Sequence, residues 1–350
     1  MTPDPSSPPA ERVVALNGTR SSLGQRILEA LAARPEVGRV VAIDRPASLS
    51  NLRELLVEVT DLVVLAPGGG PDADGSMLGE VDLDGARRLL LASDHAELAH
   101  AVVVSSAMVY GAWADNAVPL TESAVLRPNP SCSLARDKAE LERLAGEWRA
   151  SGAHRTLAIV RPTVVVAGDV QSVEWMERSL WGAGWTGRHV TDVPRQFLLV
   201  DDLVDAVVRL VIADRCDGAF NVAPDGWINA DRQRELTGRF GTPGLSAPTA
   251  GLLASLRWKF GFASTPPEIL PYTASPWVVS NERLRETGWA ATHTNDEAFT
   301  IGSRATWWST LTARRRQDVA LGALIGGLAG LSAGVVLLVR SLRRAAAGSG

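Results

Sequence analysis

Cysteine, tyrosine and lysine are nearly absent from this chain, each occurring twice in 350 residues. Cys132 and Cys216 are too few and too far apart for a disulfide framework or a cysteine zinc site, so a reducing compartment is the simpler setting. The histidines, at 95, 100, 154, 189 and 293, show no ligand spacing, and no metal is expected. The tyrosines are Tyr110 and Tyr272 and the lysines Lys138 and Lys259, so any chemistry that needs either type has two candidates. An excess of one charge sign is also missing. With a net charge of -4 and acids and bases spread along the chain, nothing in the electrostatics points to nucleic acid as a partner. What is present is apolar: 46% hydrophobic residues suffice for a sizeable core and exclude the disordered and fibrous classes.

Residues 1–11, "MTPDPSSPPAE", are rich in proline and read as a disordered tail, and no apolar run follows that would make a secretion signal. From Arg12 onward, β-branched runs at 61–67, 101–111, 155–168 and 196–200 alternate with helix-period segments such as "LARDKAELERLAGEWRASG" and "VDDLVDAVVRLVIAD". This alternation predicts a doubly wound, mainly parallel α/β sheet with ligands beyond the carboxyl ends of its strands. Asp201 and Asp202, at the start of the second of these helices, read as its N-terminal caps. Residues 12–224 are expected to form most of this domain. Residues 225–310, irregular and rich in Trp and Pro, suit a smaller lobe over the ligand edge, with 165–195 a candidate to join it.

The last segment differs in kind. "VALGALIGGLAGLSAGVVLLV", 319–339, is 21 residues without a charge, flanked by arginines on both sides. A helix of this length reaches about 31 Å, the thickness of a bilayer's hydrocarbon core. It is expected to be a single transmembrane helix anchoring the large domain at the cytoplasmic face of the cell membrane. Gly322, Gly326, Gly330 and Gly334 recur on one of its faces, which suits close pairing with another helix.

Chemistry concentrates in three places. In "NGTRSSLG", Gly18 and Gly24 bracket a turn between a strand and a helix, where backbone N–H groups can meet a pyrophosphate. Arg20, Ser21 and Leu23 belong to the same candidate cofactor site. Twenty residues after Gly24, Asp44 is placed to bond ribose hydroxyls, favouring NAD, while Arg45 beside it suits the 2′-phosphate of NADP. The second place is "VSSAMVYG", with Ser106, and the third is "SCSLARDKAELERL", with Lys138.

Together with "VRPTVVVAG", "FLLVDDLVDAVV", "GAFNVAP" and "NERLRETGW", these motifs resemble an extended short-chain dehydrogenase/reductase of the NAD-dependent epimerase/dehydratase kind, over about 12–299. The resemblance implies a Rossmann-type sheet binding NAD(P), a C-terminal lobe for substrates that are often nucleotide sugars, and frequent homodimers through two helices. It also implies a catalytic Ser, Tyr and Lys, in which the Tyr moves the proton as hydride passes to or from the cofactor. Ser106 matches the Ser, and Lys138, supported by Glu142 one turn later, matches the Lys. Leu134 stands at the tyrosine position, and no Y-x-x-x-K occurs anywhere in the chain.

Other departures accompany it. Ser21 replaces the middle glycine of the phosphate loop and is expected to crowd a dinucleotide. Asp82 stands where asparagine is usual. Only 16 residues separate Asp44 from Asp61, too few for the helix, strand and helix the family fits there. The expectation is a membrane-anchored oxidoreductase or epimerase with impaired or altered redox chemistry, against a non-catalytic NAD(P) sensor or scaffold.

Overall fold

A computed structural model describes residues 11–43, 48–66, 81–94, 98–167, 193–213, 216–237, 252, 255–256 and 267–303. All belong to the first of the two units into which the chain divides, Met1–Arg304. Asp44, Arg45, the 1–10 tail and the 319–339 span lie outside the described residues, among which no helix is long and apolar enough to cross a membrane.

The main sheet has six parallel strands: β1 (Arg12–Asn17), β2 (Val37–Ile43), β3 (Asp61–Val64), β4 (His100–Val104), β5 (Thr156–Pro162) and β8 (Gly218–Val222), in the order β2-β1-β3-β4-β5-β8. Among the described residues two further strands, β6 (Val164–Val166) and β7 (Phe197–Leu199), pair in parallel as a separate ribbon. The apolar run 155–168 therefore splits at Thr163 between two sheets, and 101–111 is strand only as far as Val104.

The central strands are apolar on both sides because both sides are covered. Along β1 and β4 alternate residues face opposite cores. Ala15, Ala101 and Val103 join Leu52, Leu89, Leu141 and Trp148 from α2 (Leu49–Leu55), α3 (Leu83–Ser93) and α4 (Ser133–Ala150). Val14, Leu16, Val102 and Val104 instead join Ile27, Leu31, Leu203 and Val207 from α1 (Ser22–Ala32) and α5 (Val200–Ile212).

The acids at two helix starts behave differently. Asp82 caps α3, its Oδ1 accepting from Gly85 N at 2.8 Å. The pair at the start of α5 does not cap it. Leu199 is the N-cap and offers no side-chain bond. Asp201 instead pairs with Arg26 at 2.8 Å. Asp202 accepts from Thr292 N at 2.8 Å, fastening the segment that follows α8 (Glu282–Arg285). The two acids take partners outside the helix, Arg26 on α1 and Thr292 in the small lobe. The small lobe adds α6 (Ala230–Thr237), α7 (Leu270–Ala274) and α9 (Asn295–Ser303).

The short stretch after β2 holds one helix, α2, and then β3 crosses to the far side of β1. Among the described residues β2 is the sheet edge. The order in which strands are added thus reverses between β1 and β3, and the crevice beyond their carboxyl ends is where an open α/β sheet binds ligands.

Candidate functional site

The crevice is closed from below by Asn17, the last residue of β1. Its side-chain Oδ1 accepts from Leu65 N at 2.6 Å, tying the ends of β1 and β3. Gly18 then turns with φ 78°, a left-handed conformation that favours glycine, and its N–H donates to Ile43 O at 3.2 Å. A side chain at Gly24 would put a Cβ 2.1 Å from Gly18 O, so the loop and the first turn of α1 pack backbone to backbone. Ser21 lies in the turn between Gly18 and Gly24. Its hydroxyl turns inward, donating to Gly18 O at 2.8 Å and accepting from Gly24 N at 3.0 Å as the N-cap of α1. The substitution thus stabilises the turn and consumes one helix N–H that an anion would otherwise meet. Leu23 is buried with Ile27 and Leu31, so its side chain belongs to the core. Arg20 is exposed on the loop.

Lys138 reaches the same edge from α4. Its Nζ donates to Val104 O at 2.9 Å and Leu65 O at 3.3 Å, bridging the carboxyl ends of β4 and β3. Ser106 sits two residues beyond Val104, buried, its hydroxyl accepting from Met108 N at 3.2 Å and capping a 3-10 turn at Ala107–Tyr110. The Gly18 loop, Ser106 and Lys138 are therefore gathered at one edge of the sheet. Leu134, one turn before Lys138, is buried in the apolar core on the α2, α3 and α4 side.

Glu142 does not support Lys138. It forms a buried pair with Arg161 of β5, at 3.0 Å to Nε and 2.6 Å to Nη2, and accepts the Ser105 hydroxyl at 2.5 Å. Arg161 also donates to the Tyr110 hydroxyl at 2.7 Å, which donates to Asn221 Oδ1 at 2.8 Å. Burial alone would lower the Arg161 pKa, but the bonds and charge of Glu142 outweigh it and hold the guanidinium charged. Burial raises the Tyr110 phenol, with Arg161 opposing, so Tyr110 stays protonated as a brace. This chain of side chains fixes β4, β5, β8 and α4 beneath Ser106 and uses up one of the two tyrosines.

The other tyrosine, Tyr272, comes from α7 and is buried between Trp277, edge-on at 5.4 Å, and the Ser106 turn. Its hydroxyl donates to Met108 O at 2.8 Å. Burial raises its pKa, and the neighbouring Cys132 adds to the effect, so it too is no ready proton donor. Cys132 is itself pushed up to about 11 by burial and is an inert thiol.

One residue was missed in the sequence. Arg195, half-buried just before β7, donates from Nη1 to Gln233 Oε1 at 2.8 Å and from Nη2 to Thr273 O at 3.1 Å. Burial lowers its pKa, and no carboxylate among the described residues opposes that shift. A half-buried guanidinium whose partners among the described residues are neutral is a ready seat for an anion. No local motif marks it. The signal lies in which acids fold nearby, and among the described residues none is paired with it.

A family model described as the NAD dependent epimerase/dehydratase family matches residues 14–223. Uncharacterized proteins of Mycobacterium tuberculosis and Mycobacterium bovis are 27% identical, with 83% of this chain and 83% of theirs covered. Among solved structures, UDP-glucose 4-epimerase of Thermotoga maritima with UDP-glucose shares the fold at TM-score 0.58 and 14% identity, over 83% of this chain and 97% of its own. RMD of Pseudomonas aeruginosa complexed with NADPH does so at 0.56 and 20%, over 83% and 99%. UDP-glucuronic acid 4-epimerase of Bacillus cereus with NAD does so at 0.55 and 12%, over 83% and 96%.

Proposed function

The chain belongs to the NAD dependent epimerase/dehydratase family, and from that premise we propose that it binds NAD or NADP at the Gly18–Gly24 loop and takes a nucleotide-sugar or related sugar substrate, with redox chemistry impaired or altered at Leu134. The observation that carries this reading is the gathering of the Gly18 loop, Ser106 and Lys138 at the switch point between β1 and β3. The neighbours that share the fold were solved with UDP-glucose, NADPH or NAD, which supports the ligand classes.

The residues present fit the cofactor. The backbone packing at Gly24, which leaves no room for a Cβ, keeps the loop low enough for a diphosphate to approach the start of α1, with Arg20 exposed beside it. Lys138, at the ends of β3 and β4, is the group to meet the nicotinamide ribose, and Asp44 or Arg45 the adenosine ribose. When bound, NAD(P) supplies hydride exchange. Ser106 orients the substrate oxygen, and Arg195 takes the substrate's phosphates. Leu134 moves no proton, which removes the acid–base help worth about 10²–10⁴ in rate.

A second reading, a non-catalytic NAD(P)-sensing or scaffold protein, is favoured by one observation: Leu134 is part of the core and Lys138 is tied to strand-end carbonyls. In both readings 319–339 anchors the chain in the cell membrane with the large domain cytoplasmic, and homodimers form through helices or through the glycine face of that span.

Thermal unfolding with NAD⁺, NADH, NADP⁺ and NADPH tests the cofactor. Ligand at 100 times Kd stabilises by about 2.7 kcal/mol, and no shift at millimolar concentration of any of the four removes the proposal. Leu134→Tyr then separates the readings, since activity gained on UDP-glucose means that only the acid was missing. Full-length protein found in the soluble fraction without detergent overturns the anchor.

A further inference from the structure

One short piece of the small lobe touches both segments that carry the candidate catalytic positions. From the residues before α7, Glu268 accepts from Ser133 N and Ser133 Oγ at 3.4 Å, at the first residue of α4 and next to Leu134. From α7 itself, the Tyr272 hydroxyl donates to Met108 O at 2.8 Å and accepts from Asn129 N at 3.5 Å. The Met108 carbonyl also accepts from Gly111 N at 2.9 Å, while the Met108 N–H is held by Ser106 Oγ at 3.2 Å. A single residue, Met108, therefore separates the Tyr272 hydroxyl from the Ser106 hydroxyl. On the other side of Tyr272, the next carbonyl, Thr273 O, is held by Arg195 Nη2 at 3.1 Å.

The ring of Tyr272 is locked into this place. It is 1% exposed, meets Trp277 edge-on, and its backbone oxygen accepts from Trp277 Nε1 at 2.8 Å. A rigid aromatic pinned at both ends moves with its helix, so a change at Thr273 is felt at Met108.

We propose that Tyr272 is a positioning residue, which fixes the Ser106 turn from the small lobe and passes to it the occupancy of the Arg195 anion seat. This rests on the nucleotide-sugar reading for the ligand, although not for the hold on the turn. An anion at Arg195 orders the guanidinium and, through Thr273 and Tyr272, the 3-10 turn that presents Ser106. The turn that presents the serine is thereby held more firmly when substrate phosphates are in place.

The test uses the full-length chain and amide hydrogen exchange, with UDP-glucose as the probe. Tyr272→Phe keeps the ring and its packing and deletes the hydroxyl. Loss of one hydrogen bond is expected to speed exchange at Val109 and Gly111 about fivefold, with the amides of β1 unchanged as the control for global stability. In wild type, UDP-glucose protects both the segment around Arg195 and the turn. In Tyr272→Phe it protects the segment around Arg195 and no longer the turn, a split that a purely structural tyrosine does not produce. Unchanged exchange at Val109 and Gly111 in the variant overturns the positioning role. Equal ligand protection of the turn in both proteins overturns the relay. If UDP-glucose protects nothing in wild type, the nucleotide-sugar reading and the relay fall together, while the comparison without ligand still decides the hold on the turn. Should Tyr272→Phe unfold, Glu268→Gln, which loosens the same piece at Ser133, must raise exchange in the turn without touching β1, and no rise overturns the proposal.

Discussion

Replacing Glu142 by leucine isolates the brace under Ser106 and gives a sign that simple counting of contacts does not. The carboxylate and the Arg161 guanidinium are 4% and 7% exposed and 2.6 Å apart. Glu142→Leu leaves a buried cation with only the Tyr110 hydroxyl as partner, at a cost of about 3–5 kcal/mol. The Ser105 hydroxyl, which donates to the same carboxylate, loses its acceptor for about another 1 kcal/mol. Out of a typical total of roughly 5–15 kcal/mol, that is a large share. Adding Arg161→Met removes the stranded charge. What remains is two hydroxyls with one partner fewer, Ser105 and Tyr110, about 2 kcal/mol together. The double variant is therefore expected to be more stable than the single one. Urea unfolding of wild type, Glu142→Leu and Glu142→Leu/Arg161→Met gives the three midpoints, compared at constant m. A single variant that loses less than about 1 kcal/mol, or a double variant less stable than the single, refutes the reasoning.

Three further outcomes follow from the same geometry. His100, at the opposite edge of the sheet, lies between Thr156 Oγ1 at 2.8 Å and Leu210 O at 3.0 Å, and burial lowers its pKa, with the Asp61 charge opposing. The folded state thus favours neutral imidazole, so its contribution is full above the unfolded value of about 6.5 and is lost as pH falls through the lower folded value; His100→Gln should flatten the dependence of the urea midpoint on pH below about 6.5. Ser21→Ala removes the cap of α1 and is expected to cost about 1 kcal/mol in urea unfolding while freeing the Gly24 N–H, so that dinucleotide affinity does not fall in proportion. Arg20→Ala, at an exposed position, should leave the unfolding midpoint within about 0.5 kcal/mol and weaken dinucleotide binding by thermal shift, and unchanged binding places the phosphates elsewhere.

What could be read along the chain was what depends on neighbours in sequence. The alternation of strands and helices, the glycine turn, the short stretch after β2 and the absent tyrosine at Leu134 are all local statements about periodicity, residue type or length. They determined the fold class and the edge of the sheet that carries the site. Partner choice was not local, and there the reading from sequence failed. Lys138 and Glu142 lie one helical turn apart and look like a pair, yet Glu142 turns to Arg161 on a strand and Lys138 to carbonyls of two others. Asp202 looks like a cap and instead holds Thr292, 90 residues on. Arg195 carries no motif, and Tyr272 reaches Met108 across 164 residues. A buried charge or hydroxyl takes the nearest partner in space, because leaving it unpaired costs kilocalories while separation along the chain costs nothing once the fold has closed. The sequence by itself therefore determined which elements form and which acid is missing; the tertiary structure alone decided which side chains hold Ser106 in place.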